Sequence, residues 1–344
     1  MKRLLAVFLC MAMILGVLPA QTFAEGGQLS ALARRLEFVG EDGNSYYYSV
    51  YAAEEGYGAP YFAALEYVGY GEHDVTELLI PAYVPYEAQQ VPMRYISLPE
   101  NSTGYYGSLY QLSGTVRNTV RRIEIPGTVE RIGKQSFMYF EALTSVTFHE
   151  GLRAIGTGAF FGAKLLTAAE LPTSLETLED GCFKGCTDLV SVNFSVLTAL
   201  QSIGTEAFYN AGVTEAELPE GLRSIGVHAF QGSQVREVSF PSTLQSLEYG
   251  CFQDCKQLVS VRFADHMDPE FTMITGFAGC AALTQIQIPN TVKTVAEQAF
   301  SDCGLCSLTI PASVSLIENK AFQNNRNLAR LIILPGTTPL TIGP

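Results

Sequence analysis

Apolar side chains recur along the chain from residue 120 onward at intervals of 22 to 25 residues. Each copy of the pattern contains a phenylalanine, and in eight of the nine copies an aliphatic side chain stands five positions before it. Further upstream, apolar positions such as Val146 and Phe148 alternate with polar ones, which is the period of a β-strand buried on one face. The pattern therefore predicts nine stacked units. Their phenylalanines are Phe137, Phe160, Phe183, Phe208, Phe230, Phe252, Phe277, Phe300 and Phe322.

A unit of this length cannot bury its own apolar side, but stacked units can, with parallel strands and each apolar position forming a column. At a strand spacing of about 4.8 Å, nine copies make a face of roughly 40 Å. The segment around each phenylalanine is too short for a helix of several turns, so we expect a turn or a single helical turn there. In six copies a proline follows the strand and ends its pairing, because it has no N–H group. These prolines are Pro126, Pro172, Pro219, Pro241, Pro289 and Pro311.

The repeated unit resembles the BspA-like leucine-rich repeats. The segments that carry the resemblance are residues 203–208, with Ile203 five positions before Phe208, and residues 183–186, which end in Cys186. The likeness covers residues 120–334, and residues 75–81 and 91–96 look like a divergent first copy. It implies an α/β-type leucine-rich-repeat solenoid dominated by short parallel β-strands, with a period of about 23 residues. It also implies a bacterial secreted or cell-surface protein that adheres to host proteins, other cells or surfaces.

Three segments are predicted along the chain. Residues 1–24 read as a secretory signal peptide, with Lys2 and Arg3 before a short apolar run, so we expect a secreted or cell-surface protein. A retained N-terminal anchor is the alternative. Residues 25–119 are predicted to form a β-rich N-terminal cap, and residues 120–344 the solenoid, with nine full copies and a partial tenth. No later stretch is long and apolar enough to span a bilayer.

The predicted cap region is rich in tyrosine: it holds 14 of the 17 tyrosines of the chain. A solenoid needs a cap over its first apolar layer, which is the simpler explanation of the region. The alternative is a tyrosine-lined surface that binds a sugar or a protein, since tyrosine combines rigid contact area with a polar tip.

Charge excludes one class of partner. The formal net charge is −13, and both the 25–119 and the 120–344 segments are acidic, with no basic stripe. Such a surface repels a phosphate backbone, so we expect no nucleic-acid binding.

The cysteines could form a metal site or disulfide bonds. Cys182 and Cys186, like Cys251 and Cys255, are separated by three residues. The repeat places Cys182 and Cys251 three copies apart, about 14 Å, which is too far for one metal ion. We expect free core thiols, no metal and no cofactor. Disulfides between neighbouring copies, as among Cys255, Cys280 and Cys303, stay open as an alternative.

No catalytic motif is present, and the chain is predicted not to be an enzyme. The four histidines stand at no ligand spacing, and no nucleophile elbow or phosphate loop occurs. Glu215 and Glu217 could suggest a pair of glycosidase carboxylates. Their spacing of two residues is equally that of a solvated strand face.

The outward face of the predicted sheet is the candidate binding surface. It carries an acidic stretch that would suit a basic, extracellular protein partner. Binding through such charges weakens as the salt concentration rises. The candidate residues are Glu170, Asn193, Glu215, Glu217, Glu237 and Arg262. The alternatives are a structural spacer of the cell envelope without a specific ligand, and carbohydrate binding through the tyrosine-rich region. The oligomeric state is not predictable from the sequence.

Overall fold

Residues 120–343 form a stack of similar copies, most of which contribute one short strand to each of two faces of parallel strands. The structure is a computed structural model that describes residues 31–52, 61–69, 75–97 and 114–343. Its repeating strands confirm the predicted solenoid of short parallel strands with a period of about 23 residues. The predicted signal peptide lies outside the described residues.

The front strands are those that the alternating pattern predicts. In most of them the apolar positions point into the core and the polar positions face outward, as in Ser145–Phe148, where Val146 is buried and Ser145 exposed. The last one, Arg330–Ile333, is an exception, because Leu331 is 50% and Ile333 46% exposed. The front strands are β4 Glu77–Leu79, β7 Arg122–Ile125, β9 Ser145–Phe148, β11 Ala168–Ala169, β13 Ser191–Val192, β15 Glu215–Glu217, β17 Glu237–Phe240, β19 Ser260–Phe263, β22 Ser307–Ile310 and β24 Arg330–Ile333.

A second set of strands, the side strands, contains the aliphatic residue that precedes each phenylalanine. Each has two residues, and most pair in parallel with the next copy, as Ile155 does with Ile132 and Leu178. The pairing is interrupted between Ser246–Leu247 and Met273–Ile274, which belong to separate sheets. The sequence pattern did not predict these as strands, because two residues are too few to show alternation. They are β8 Arg131–Ile132, β10 Ala154–Ile155, β12 Thr177–Leu178, β14 Ser202–Ile203, β16 Ser224–Ile225, β18 Ser246–Leu247, β20 Met273–Ile274, β21 Thr294–Val295, β23 Leu316–Ile317 and β25 Thr341–Ile342.

The third side of each copy is the turn around the phenylalanine, and these turns form a hydrogen-bonded ladder of their own, here called the turn ladder. The N–H group of Phe160 donates to the carbonyl of Cys182 in the next copy at 2.8 Å, and Phe230 donates to Cys251 at 2.7 Å. Residues two before and two after the phenylalanine adopt left-handed backbone conformations, as at His228 (φ 56°) and Gly232 (φ 68°). Every second N–H group of the turn, as at Gln135, Phe137 and Tyr139, then donates to the next copy, so the segment pairs along its length without becoming a helix.

Helical structure is correspondingly scarce. Within the described residues it is confined to α1 Gly114–Thr119 and a 3-10 turn at Phe194–Val196. None of the described helices has the length and apolarity that a bilayer crossing requires.

The phenylalanine column is the centre of the core. The eight phenylalanines from Phe137 to Phe300 are fully buried, the ninth, Phe322, is partly buried, and the rings of neighbouring copies stack nearly parallel. Phe230 lies 5.1 Å from Phe208 and 4.9 Å from Phe252, between ring centroids, with interplanar angles of 10° and 4°. Stacking at this distance adds to the stabilisation that burial alone provides.

The N-terminal strands join the solenoid without a break in pairing. β1 Ala31–Val39, β2 Ser45–Ala52 and β3 Tyr61–Gly69 are antiparallel neighbours, and β5 Tyr83–Tyr86 forms a hairpin with β6 Gln89–Ile96. β6 then pairs in parallel with β8, and β4 with β7. Residues 77–96 thus supply a front and a side strand in register with the copies that follow. The division of the chain at residue 119, and the role of residues 25–119 as a cap, stay predictions.

Candidate functional site

The candidate site is the outward surface of five consecutive front strands, β11 to β19. In β15 the side chain of Ala216 is buried, while Glu215 and Glu217 on either side of it are exposed. The same alternation exposes Glu237 and Arg262 on the next two strands, and Glu170 directly after β11. Strand period therefore places five of the six predicted binding residues in solvent on one face. Their role in binding stays a prediction.

Parallel pairing brings like charges side by side on this face. Glu215 is the direct neighbour of Glu237 across the β15–β17 pair, and Glu217 is the neighbour of Ser239. Adjacent strands are about 4.8 Å apart, and like charges in facing positions destabilise a sheet. Among the described residues, neither Glu215 nor Glu217 has an ion pair.

One basic residue partly balances the acidic stretch. The guanidinium of Arg262 lies 3.0 Å from a carboxylate oxygen of Glu237, and its Nε donates to the hydroxyl of Ser239 at 3.2 Å. Both charged side chains are well exposed, so the pair contributes little stability. It does lower the negative charge at the β17 side of the site and leaves Glu215 and Glu217 as its most negative part.

Asn193 has a structural role that the sequence does not reveal. Its side-chain amide accepts a hydrogen bond from the N–H of Leu171 at 2.8 Å and donates to the Leu171 carbonyl at 2.9 Å. These bonds replace the ladder pairing where β13 ends and the chain enters the 3-10 turn at Phe194–Val196. Because its amide oxygen and amide nitrogen are both hydrogen-bonded to Leu171, Asn193 has less hydrogen-bonding capacity left for a partner than the four exposed glutamates have.

Half of the tyrosine side chains that the structure describes in the N-terminal region belong to the core, four of eight. Tyr46 and Tyr48 are fully buried, and Tyr51 and Tyr95 pack with Phe62 in a small cluster. Burial beside Asp42 raises the pKa of the Tyr46 hydroxyl, which hydrogen-bonds to that carboxylate. In the described part of the region, these rings therefore fill space between strands rather than line a ligand surface.

The cysteines are free and largely buried in the described residues. The thiols that stand three positions after a phenylalanine donate to the phenylalanine carbonyl of the preceding copy, as Cys186 does to Phe160 at 3.2 Å and Cys255 to Phe230 at 3.1 Å. Desolvation raises the pKa of each of these two thiols to about 12. Among the described residues, no cluster of three or more histidine, cysteine or acidic side chains could hold a metal ion.

Thiol reactivity tests this arrangement. In a chain of residues 25–344 at pH 8, we expect a thiol reagent to label Cys306 quickly, because it is exposed, and the six buried cysteines only on unfolding. A raised pKa keeps the buried thiols protonated and unreactive at that pH. Denaturation without a reductant should release all seven thiols. Fewer than seven would reveal a disulfide, and fast labelling of several thiols in the native protein would contradict the buried column.

The comparisons with known proteins fit this geometry. Residues 117–233 and 201–329 match the BspA type leucine rich repeat region, in six copies. A leucine-rich repeat protein from Bacteroides ovatus is 20% identical, with a TM-score of 0.50 over 86% of this chain and 89% of that one. The pneumococcal vaccine antigen PcpA is 16% identical, with a TM-score of 0.51 over 88% of this chain and 86% of that one. No curated protein matches the chain. At these identities the two structures show a shared fold.

Two faces of short parallel strands and a stacked phenylalanine column, repeated about every 23 residues, define a leucine-rich-repeat solenoid. The chain belongs to the BspA-type leucine-rich-repeat proteins. Proteins of this type are generally binding or structural proteins without enzymatic activity, and no catalytic family matches the chain.

Proposed function

We propose that the protein is a secreted or cell-surface binding protein that holds a basic protein surface on its front strands. The observation that carries the proposal is the side-by-side placement of Glu215 and Glu237, with Glu217 on the same strand, on a rigid and exposed sheet. Repulsion between these carboxylates is relieved when a cationic partner binds, so complex formation recovers free energy that the isolated fold has lost. The BspA-type family, with its bacterial surface antigens, supports a location outside the cell.

A charge-reversal experiment tests the proposal. The chain of residues 25–344 is immobilised, proteins of an animal-cell surface extract are captured on it, and the Kd of each purified captured protein is measured. We expect Glu215→Lys/Glu217→Lys to weaken binding at least about tenfold, because two attractive charges become repulsive. The Kd should also rise as salt increases from about 50 to about 300 mM, since the charges are exposed.

The matched control makes the same change in charge elsewhere. Glu248 and Glu297 are exposed and lie beyond the side strands, away from the front face. Glu248→Lys/Glu297→Lys should leave the Kd unchanged. Equal losses in both double variants would show that net charge, rather than the front face, controls binding. Failure to retain any protein above background would favour a purely structural module of the cell envelope.

A further inference from the structure

A second surface feature arises where the loop after the phenylalanine is shortened. In six of the nine copies, the aliphatic residue that packs into the core after the phenylalanine turn stands six positions after the phenylalanine, as Leu189 does after Phe183. In the other three it stands five positions after, and two of these, at Val213 and Val235, are consecutive. Two adjacent short loops therefore lie between the longer loops of the copies on either side.

The missing residue removes a turn from the surface. In long copies the chain makes an additional turn, in which the N–H of Leu189 donates to the carbonyl of Cys186 at 3.1 Å. In the first short copy the N–H of Gly212 donates instead to that same carbonyl of the preceding copy, also at 3.1 Å. A Cβ atom at Gly212 would lie 2.3 Å from the carbonyl oxygen of Thr187. The backbone can therefore approach the preceding copy this closely only because residue 212 is glycine.

The result is a notch in the solenoid wall. It consists of two adjoining recesses of about 560 and 430 Å³, with Gln234 and Gln257 lining both. The copies whose long loops bound the notch are three steps apart, about 14 Å. These volumes lie in the range of small-molecule sites. The notch opens beside the front strands, but none of the four front-face glutamates lines it.

The lining of the notch combines polar groups with one exposed aliphatic side chain, Val190, and is balanced in charge. Hydroxyl and amide groups predominate, from Thr187, Thr214, Gln234, Gln257 and Asn210. Each recess has one acid and one base: Asp188 with Arg236 in the first, and Asp254 with Lys256 in the second. Side-chain amides and hydroxyls both donate and accept hydrogen bonds, as sugar hydroxyls require.

An aromatic ring stands at one end of the notch in a fixed orientation. Tyr209 lines the second recess, and the ammonium of Lys184 lies 4.7 Å from its ring centroid. Lys184 is held in turn by the carboxylate of Glu206 at 2.6 Å. A ring held in this way can pack against the C–H face of a ligand with little loss of side-chain entropy.

We propose that this notch binds a short neutral oligosaccharide. Balanced charge gives an anionic or cationic ligand no advantage. The apolar surface of the first recess, where Val190 is the one aliphatic side chain among hydroxyls and amides, suits the C–H face of a sugar ring. A row of amides and hydroxyls ending in a tyrosine ring matches a chain of sugar rings. The site is separate from the acidic face and does not depend on the protein-binding role proposed above.

Calorimetric titration of the 25–344 chain with maltotriose, mannotriose and N-acetylchitotriose tests the inference. We expect at least one of these trisaccharides to bind with a Kd of about 1 mM or below. Gln234→Ala/Gln257→Ala should raise that Kd at least tenfold, and so should one serine inserted between Gly212 and Val213, which restores the longer loop. Because the ligand is uncharged, the Kd should be the same at about 50 and about 500 mM salt.

Two control variants should bind the sugar as the parent chain does. Gln287→Ala removes an exposed glutamine amide outside the notch, and Glu215→Lys/Glu217→Lys changes only the front face. Absence of binding by all three sugars up to about 10 mM would overturn the proposal, on the affinity scale of weak ligands. Sugar binding that survives both notch variants would overturn it equally, as would saturable binding of a neutral Gly/Ser peptide without any sugar binding.

Discussion

Replacing Phe230 by alanine is expected to lower the free energy of unfolding by about 3–5 kcal/mol, the usual loss for a fully buried phenylalanine. Phe230 has no exposed surface and lies between the stacked rings of Phe208 and Phe252, with the edge of Phe194 at 6.1 Å. Truncation removes contacts with two neighbouring copies at once, and the flanking rings cannot close the gap because their own backbones are fixed in the turn ladder. Urea denaturation followed by circular dichroism measures the loss.

The control for this prediction is an aromatic side chain of the next copy that lies on the surface. Tyr249 is 50% exposed, and Tyr249→Ala should change the unfolding free energy by no more than about 0.5 kcal/mol. Comparable effects of Tyr249→Ala and Phe230→Ala would mean that the phenylalanines do not form a continuous core column.

Gly151→Ala is expected to cost about 2–4 kcal/mol, the second largest effect. Gly151 has a φ of 119°, which a side chain rarely allows. In addition, a Cβ atom there would lie 2.2 Å from the carbonyl oxygen of Gly127 in the preceding copy. That oxygen belongs to the backbone, so the two copies must move apart to admit a methyl group. The same urea denaturation measures the change.

Gly43 separates the two causes of this loss. It also has a positive φ, of 78°, but nothing lies within 4 Å of a Cβ atom built on it. Gly43→Ala should therefore cost only the backbone strain, about 1–2 kcal/mol. If Gly151→Ala were no more destabilising than Gly43→Ala, the close approach of Gly127 and Gly151 would not contribute to the free energy of unfolding.

The fold was predictable because its main signal is repeated. A single apolar residue such as Phe230 says little by itself, but the same residue type at nine registered positions can be explained only by a column. The front strands were predictable for a similar reason, since strand period leaves a visible alternation around Val146. The side strands and the turn ladder were not predictable. A two-residue strand shows no period, and left-handed conformations at His228 or Gln135 leave no trace in the residue type.

The candidate sites were predictable only in part. Outward exposure of Glu215 and Glu217 follows from strand period alone, whereas the pairing of Arg262 with Glu237 depends on side-chain orientation across two strands. The bonds of Asn193 to Leu171 come from a local break in the ladder, which the residue pattern does not show. The notch does have a sequence signal. The two intervals from Phe208 to Phe230 and from Phe230 to Phe252 are each 22 residues, the shortest consecutive pair in the chain.

The turn ladder gives the solenoid a direction. Its N–H groups donate to the following copy, as Gln135 does to Thr157 and Phe300 to Ala321, so the two edges of a copy are complementary to each other and not to themselves. Such a joint is heterologous. An internal unit could be duplicated or deleted within a gene, and the new edges would still match, donors against acceptors. Two molecules meeting by like edges would instead bring donors against donors. The same polarity that lets the array change length by whole units thus opposes association by like edges, and leaves head-to-tail contact of unlike edges as the matching one.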